Sequence, residues 1–244
     1  MKLVIIAAGR GSRLGAKTLN KPKTIIPIHN GNSTIDVLLH NCHLVGINDI
    51  IIITGYKKSQ IKNYLKDKWG QLNVQFVYNE EWKLENGVSV LKAKNKIKEN
   101  ETFMISMSDH LYFSNLLKTL KESNLADRIV NVGVDVRIDS IFDIDDGMKV
   151  MINPKNFLVK AMSKSLMKYN AIDVGLFKCK YSFFDYLETG YKNKVYSLSN
   201  SCNELIKNKM LGAIDIKDNF WLDIDTPEAL EFAKKKFASL GPTV

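Results

Sequence analysis

The chain has little cysteine and little histidine, three of the first and four of the second among 244 residues. Cys42, Cys179 and Cys202 form no CxxC pair and no zinc-ligand spacing, so neither a disulfide framework nor a zinc site is expected. They read as buried or half-buried thiols. No apolar run approaches the roughly 20 residues of a membrane helix. The run at 3–8 is too short for a signal segment and leads straight into a glycine turn. The expectations are therefore no membrane insertion and a cytoplasmic location. Internal repeats, low-complexity tracts and Pro/Gly/Ser linkers are also missing, which suits one domain, with or without a small annex. There is no G-x-S-x-G and no paired Cys and His, so a covalent side-chain nucleophile is not anticipated. Acidic residues are outnumbered, 26 against 35 lysines and arginines, leaving a net charge of +9. That excess suits an anionic ligand. The lysines are scattered rather than striped, so nucleic acid is not expected as a partner.

What is present has a clear rhythm. "KLVIIAA" reads as a buried strand, followed by a helix over 33–46 with Ile35, Leu38, Leu39 and Cys42 on one face. Ser33 with Asp36 makes a capping-box start, and Gly46 a stop. "DIIIITG", "NVQFVYN", "TFMISMSD" and "RIVNVGVDV" read as further strands, with helical "SQIKNYLKDKW", "VSVLKAKNKI" and "SNLLKTLKES" between them. This alternation predicts an α/β fold, a Rossmann-like, mainly parallel sheet flanked by helices. From about Ser140 the alternation breaks. "GMKVMINPKNFLVKAMSK" reads as short strands around a turn at 153–156, and 140–220 as a small inserted β-rich lobe. Residues 1–139 form the alternating half in this reading, and 221–244 a last strand and helix. Thr226-Pro227-Glu228 marks that helix's start.

Three stretches carry candidate chemistry. In "LVIIAAGRGSRLGAKTLNKPK", Gly9 and Gly11 follow a strand and five basic residues surround them. The third glycine of a dinucleotide loop and the GK[ST] of a P-loop are both absent. Two fixed cations, Arg13 and Lys23, beside bare backbone suit a triphosphate and the charge of departing pyrophosphate; a solvated basic loop is the alternative. In "MISMSDHLY", Asp109 ends a strand, where ligands of parallel sheets collect. It suits either Mg²⁺ or a turn or helix cap, and His110 beside it reads as a structural hydrogen-bonding residue rather than a ligand-contacting one. In "WLDIDT", Asp223 and Asp225 sit two apart on an expected strand and so share a face. Two such carboxylates favour a cation or donors between them, with a solvated face as the alternative. With Asp109 they could hold one Mg²⁺.

These residues carry a resemblance. "AAGRGSRLGAKTLNKPK" resembles the sugar-phosphate nucleotidyltransferase signature G-x-G-[ST]-R-L…P-K, with Ala16 where a proline is usual. "ENGVSVLKAKN", "MISMSDHLY", "YNAIDVGLF" and "WLDIDT" fall in the order of its CTP:inositol-1-phosphate cytidylyltransferase branch, near the choline-phosphate cytidylyltransferases. The resemblance implies CTP and a phosphate-monoester acceptor, Mg²⁺ as cofactor, and a downstream membrane transferase that is fused in some relatives. It implies that Ala7, Ala8 and Gly9 present backbone to base and ribose, with Gly87 and Ser89 near the base. Asn79 and Glu80 lie in the same base-recognition stretch. Gly11, Ser12 and Arg13 would wrap the β- and γ-phosphates, and Lys23 would meet the α-phosphate or the attacking phosphate. Asp109, Asp223 and Asp225 match the metal carboxylates. Lys149, Lys164, Asp173 and Gly175 are expected on the acceptor side. A choline-type acceptor would want an aromatic or acidic pocket, for which Trp82, Tyr112 and Tyr169 are candidates. A sugar 1-phosphate with UTP or dTTP is a further alternative, and a nucleotide-binding module without catalysis is one from a different class.

Overall fold

The computed structural model describes residues 1–11, 13–14 and 21–238. Strand β1 (Lys2–Ala7) is followed by a small hairpin, β2 (Pro27–His29) with β3 (Asn32–Ser33), and by helix α1 (Thr34–Leu44). The expected capping box is there: the Asp36 carboxylate accepts from the Ser33 N–H at 2.9 Å and from its hydroxyl at 2.8 Å. Alternation continues through β4 (Asp49–Thr54), α2 (Lys58–Leu65), β5 (Asn73–Tyr78), α3 (Asn86–Leu91) and β6 (Thr102–Met107). A short β7 (His110–Tyr112) leads into α4 (Ser114–Glu122) and β8 (Val130–Asp135). Then come β9 (Lys149–Ile152), β10 (Val159–Ser163), β11 (Ala171–Lys180), α5 (Phe183–Lys192), α6 (Leu198–Lys207), β12 (Leu211–Asp215), β13 (Trp221–Asp223) and α7 (Pro227–Ala238).

Nine strands form one sheet, ordered β10-β9-β11-β6-β1-β4-β5, with β8 joining β11 and β12 joining β8. β1 pairs in parallel with β4 and β6, β4 with β5, and β8 with β12, whereas β11 runs antiparallel to its neighbours. The fold is thus a mainly parallel mixed sheet with helices packed on it, as the alternation predicts. The hydrophobic runs of β1 and β4 are buried almost end to end, which continuous Ile/Val sequences require when both sheet faces are covered. The strands expected around 153–156 are β9 and β10, and they extend the main sheet. Helices α5 and α6 within 140–220 are not anticipated by the sequence reading. Among the described residues no helix is long and apolar enough to cross a membrane. All three cysteines are buried and free, as expected.

This topology places the site. β1 and β6 are parallel neighbours, so the glycine turn after β1 and the Ser108-Asp109 step after β6 open at the same sheet edge. Away from the main sheet, β13 pairs antiparallel with β7, setting Asp223 opposite His110. A 3-10 turn over Lys23–Ile25 is tied to the same place by Thr24, whose hydroxyl donates to the Ser108 carbonyl at 3.2 Å. Helix α7 starts as expected, with the Ala229 N–H donating to the Thr226 hydroxyl at 3.2 Å.

Candidate active site

At this edge two cavities adjoin. The first, of about 330 Å³, is floored by Ala7, Ala8, Gly9 and Gly11 and walled by Lys23, Trp82 and Ser89. The second, of about 220 Å³, is lined by His110, Asp146, Lys164, Asp173, Gly175 and Trp221, among others. They share Arg13, Asn86, Met107, Asp109 and Asp225. A ligand in one therefore lies against the same charged wall as a ligand in the other.

The wall is built from opposed charges. Lys23 pairs with both Asp109 and Asp225, and its side chain is only 14% exposed. Burial opposes its charge, but Asp109, Asp225 and Asp223 outweigh burial and hold its pKa above the usual lysine range. Asp109 is pushed the other way. Burial would raise its pKa, yet Lys23 and His110 keep it well below the ordinary carboxylate value. Arg13 divides its fork, one arm on Asp225 and the other on Asp146. Gly11 is required by both geometry and packing: its φ is +66°, and a Cβ there would meet the Lys23 stem at 2.8 Å.

Histidine 110 is the second node. Its Nδ1 lies 2.9 Å from Asp109 Oδ1 and 3.5 Å from Asp223 Oδ1, and its ring stacks on Trp221 at 6.0 Å between centroids. Burial opposes protonation, but Asp223 and Asp109 raise its pKa to about 9. Asp223 is raised to about 7, chiefly by burial, with Asp109 and Asp225 adding to it and His110 opposing. Asp173 is likewise raised to about 7 by burial, against an N–H donated by Gly175 at 2.7 Å. β11 is irregular between Asp173 and Phe177 where it pairs with β8. This puts Gly175 at φ +72°, where a Cβ would lie 2.8 Å from the His110 ring.

The donor set fits a divalent cation. Ligand atoms of Asp109, His110 and Asp223 lie within 4.8 Å of one another, as do those of Asp146, Asp223 and Asp225. Asp223 Oδ1 is buried with no hydrogen bond among the described residues and the His110 ring nearby at 3.5 Å, which leaves it able to accept a cation. Carboxylate oxygens select hard ions such as Mg²⁺ over soft ones.

Most expected residues converge here. Arg13, Asp109 and Asp225 stand in the shared wall, with Lys23 on the first cavity's side of it and Asp223 on the second's; Ala7, Ala8, Gly9, Gly11 and Ser89 line the first cavity; and Lys164, Asp173 and Gly175 line the second. Ser12 lies outside the described residues. Gly87 is buried behind the first cavity against the Tyr196 carbonyl, not in its lining. Lys149 stands off the second, donating to the Lys164 carbonyl at 3.1 Å. Asn79 is fully buried and outside the first cavity's lining, donating at 3.0 Å to the hydroxyl of Ser89, which lines it. Asp225 is not on the expected strand. β13 ends at Asp223, and Asp225 converges because Arg13 and Lys23 hold it. His110 and Asp146 also stand in the lining of the second cavity, a placement that the sequence reading does not anticipate. Asp146 lies in "FDIDDGMK", an acidic stretch with no strand end to single it out.

Comparison with known proteins agrees with this geometry. A family model described as nucleotidyl transferase matches residues 2–142. The chain is similar to the bifunctional IPC transferase and DIPP synthase of Aquifex aeolicus, 29% identical over 233 residues, covering 95% of this chain and 50% of that protein. It is also similar to the choline-phosphate cytidylyltransferase of Streptococcus pneumoniae, 35% identical over 113 residues, 46% of each. The inositol-1-phosphate CTP transferase from T. maritima shares the fold, with a TM-score of 0.82 at 21% identity, covering 96% of this chain and 95% of that one. The chain spans about half the length of the curated relatives it matches.

Proposed function

The chain belongs to the nucleotidyl transferase family, and on that premise we propose that it transfers CMP from CTP to inositol 1-phosphate, with Mg²⁺ as its metal. The products are CDP-inositol and pyrophosphate. The observation that carries this reading is the pair of cavities meeting at one wall of Arg13, Lys23 and carboxylates, one floored by glycine-loop backbone and the other lined by Lys164 and Asp173. The choice of CTP and inositol 1-phosphate rests on the "SDH" and "LDIDT" stretches and on the likeness to the Aquifex aeolicus IPC transferase.

In this reading a phosphate oxygen of inositol 1-phosphate attacks the α-phosphorus of CTP. That P–O bond forms as the bond from the α-phosphorus to the pyrophosphate oxygen breaks, and the electron pair leaves with pyrophosphate. No general base is needed, because the attacking phosphate is ionised near pH 7. Arg13 takes the β- and γ-phosphates with Gly11 and Ser12. Lys23 neutralises charge between the α-phosphate and the acceptor phosphate. Ala7, Ala8 and Gly9 bring bare backbone to the nucleoside, with Ser89 beside it and Gly87 behind. Lys164, Asp173 and Gly175 hold the acceptor, with Lys149 at the rim. Asp109, Asp223 and Asp225 would hold Mg²⁺, which when bound supplies Lewis-acid polarisation of phosphate oxygens. A membrane transferase consuming the CDP-alcohol would follow.

Four nucleoside triphosphates, each offered with inositol 1-phosphate, choline phosphate or glucose 1-phosphate, test this by pyrophosphate release. CTP with inositol 1-phosphate is expected to turn over fastest. Faster turnover with choline phosphate would overturn the acceptor, and no turnover with CTP would overturn the nucleotide. A second outcome follows from the crowding at Gly175. Gly175→Ala is expected to displace the His110 ring and lower turnover by about tenfold. It should also cost roughly 1 kcal/mol or more of stability, because the backbone there is left-handed. Paired turnover and melting measurements check both, and wild-type turnover would remove His110 from the site's working parts.

A further inference from the structure

Residues 138–147 form a strap between β8 and β9 that roofs the second cavity with Ile141, Phe142 and Asp146. At one end it is moored by Arg137, which grips Asp135 through Nε at 3.0 Å and Nη2 at 2.9 Å. Midway, Phe142 stacks on Phe232 of α7 at 5.0 Å between centroids. Near its other end, Asp146 bridges two cations. It accepts from Arg13 and, at 2.8 Å, from Lys164. One of those cations belongs to the glycine loop and the other to the acceptor side.

We propose that Asp146 is a positioning residue that latches the strap across the acceptor cavity through Arg13, and that nucleotide phosphates release it by taking Arg13. The inference rests on the nucleotidyl-transfer reading above. Arg13 already spends both arms of its guanidinium on carboxylates. A phosphate that takes the ends of that fork competes with one of them. Asp225 is the poor choice: its side chain is 11% exposed, and Lys23 holds it too. Asp146 is 38% exposed and sits on a loop, where an ion pair is worth little and exchanges readily. Its carboxylate also repels the same phosphates while it stays in place. Once exchanged, the strap loses its tie to the glycine loop. Lys164 is then paired with Asp146 on a loosened strap and is available to an acceptor phosphate.

Pyrophosphate with Mg²⁺ is the probe, because any nucleotidyl transfer produces it whatever the base. Hydrogen exchange of the 138–147 amides in the wild type is expected to rise at least about threefold on pyrophosphate binding. Asp146→Asn should exchange fast without pyrophosphate and bind it roughly two- to fivefold more tightly, the worth of one competing exposed ion pair. Asp146→Glu should restore the wild-type response. Strap exchange that ignores pyrophosphate overturns the proposal. So does weaker pyrophosphate binding by Asp146→Asn, which would mark Asp146 as a metal ligand instead. If pyrophosphate behaves as expected and CTP does not bind, the cytidylyl reading falls and the latch stands.

Discussion

Lys23→Ala is expected to lower turnover by about 10²–10³-fold, the usual cost of removing one preorganised donor from a site where charge develops. The loss should fall on kcat more than on the nucleotide KM, since Arg13 and the glycine loop remain to bind phosphate. The same change strips the ammonium from between Asp109 and Asp225. Breaking a buried pair from one side leaves the other charge uncompensated, so stability should fall by about 3 kcal/mol. Lys23→Met separates the two effects from packing, because it keeps the apolar stem that lies over Gly11. Pyrophosphate release and thermal melting are the measurements. Near-normal turnover in either variant would take Lys23 out of the chemistry.

For Asp109 the expected effect is larger still. Asp109→Asn preserves shape but removes the charge that meets Lys23 and His110. If the carboxylate also holds the metal, several kcal/mol of transition-state stabilisation go with it, or about 10³-fold in turnover. The dependence of rate on Mg²⁺ concentration should shift upward or vanish. Asp225→Asn is expected to behave alike, with the added loss of a partner for Arg13. A variant that keeps the wild-type Mg²⁺ curve would place the metal elsewhere.

What could be read from the sequence differs by kind of evidence. The basic glycine loop declares itself locally, because Gly9, Gly11, Arg13 and Lys23 fall within a short span. Asp109 is legible only in part from position: the end of an apolar strand suits a ligand or a cap alike, and its meeting with Lys23 and Asp225 is visible only in the fold. Asp223 and Asp225 are legible as a pair, though the reason differs from the expected one: a strand carries the first, and two cations fix the second. Asp146 could not be found this way. Its partner Arg13 is 133 residues distant, and nothing local marks the meeting. Helix α5 escaped for another reason. Phe183, Phe184 and Tyr186 favour strands intrinsically and Gly190 weakens a helix. Packing overrides both, as in the Phe103–Phe184 stack at 4.9 Å.

The two-stranded ladder between β7 and β13 also bears on how the protein is made. Its partners, His110 and Asp223, are far apart in the chain. At ordinary ribosomal speeds, roughly 5–20 s pass between the synthesis of one and of the other. For that interval the nascent chain carries Asp109 and His110 without the carboxylates at 223 and 225 that complete their charge balance. The glycine loop and β6 can assemble early from nearby parallel strands, but the constellation closes only when a late, non-local pairing forms, the slow class of folding event. Activity during refolding should therefore lag behind the recovery of helical signal and track the docking of β13.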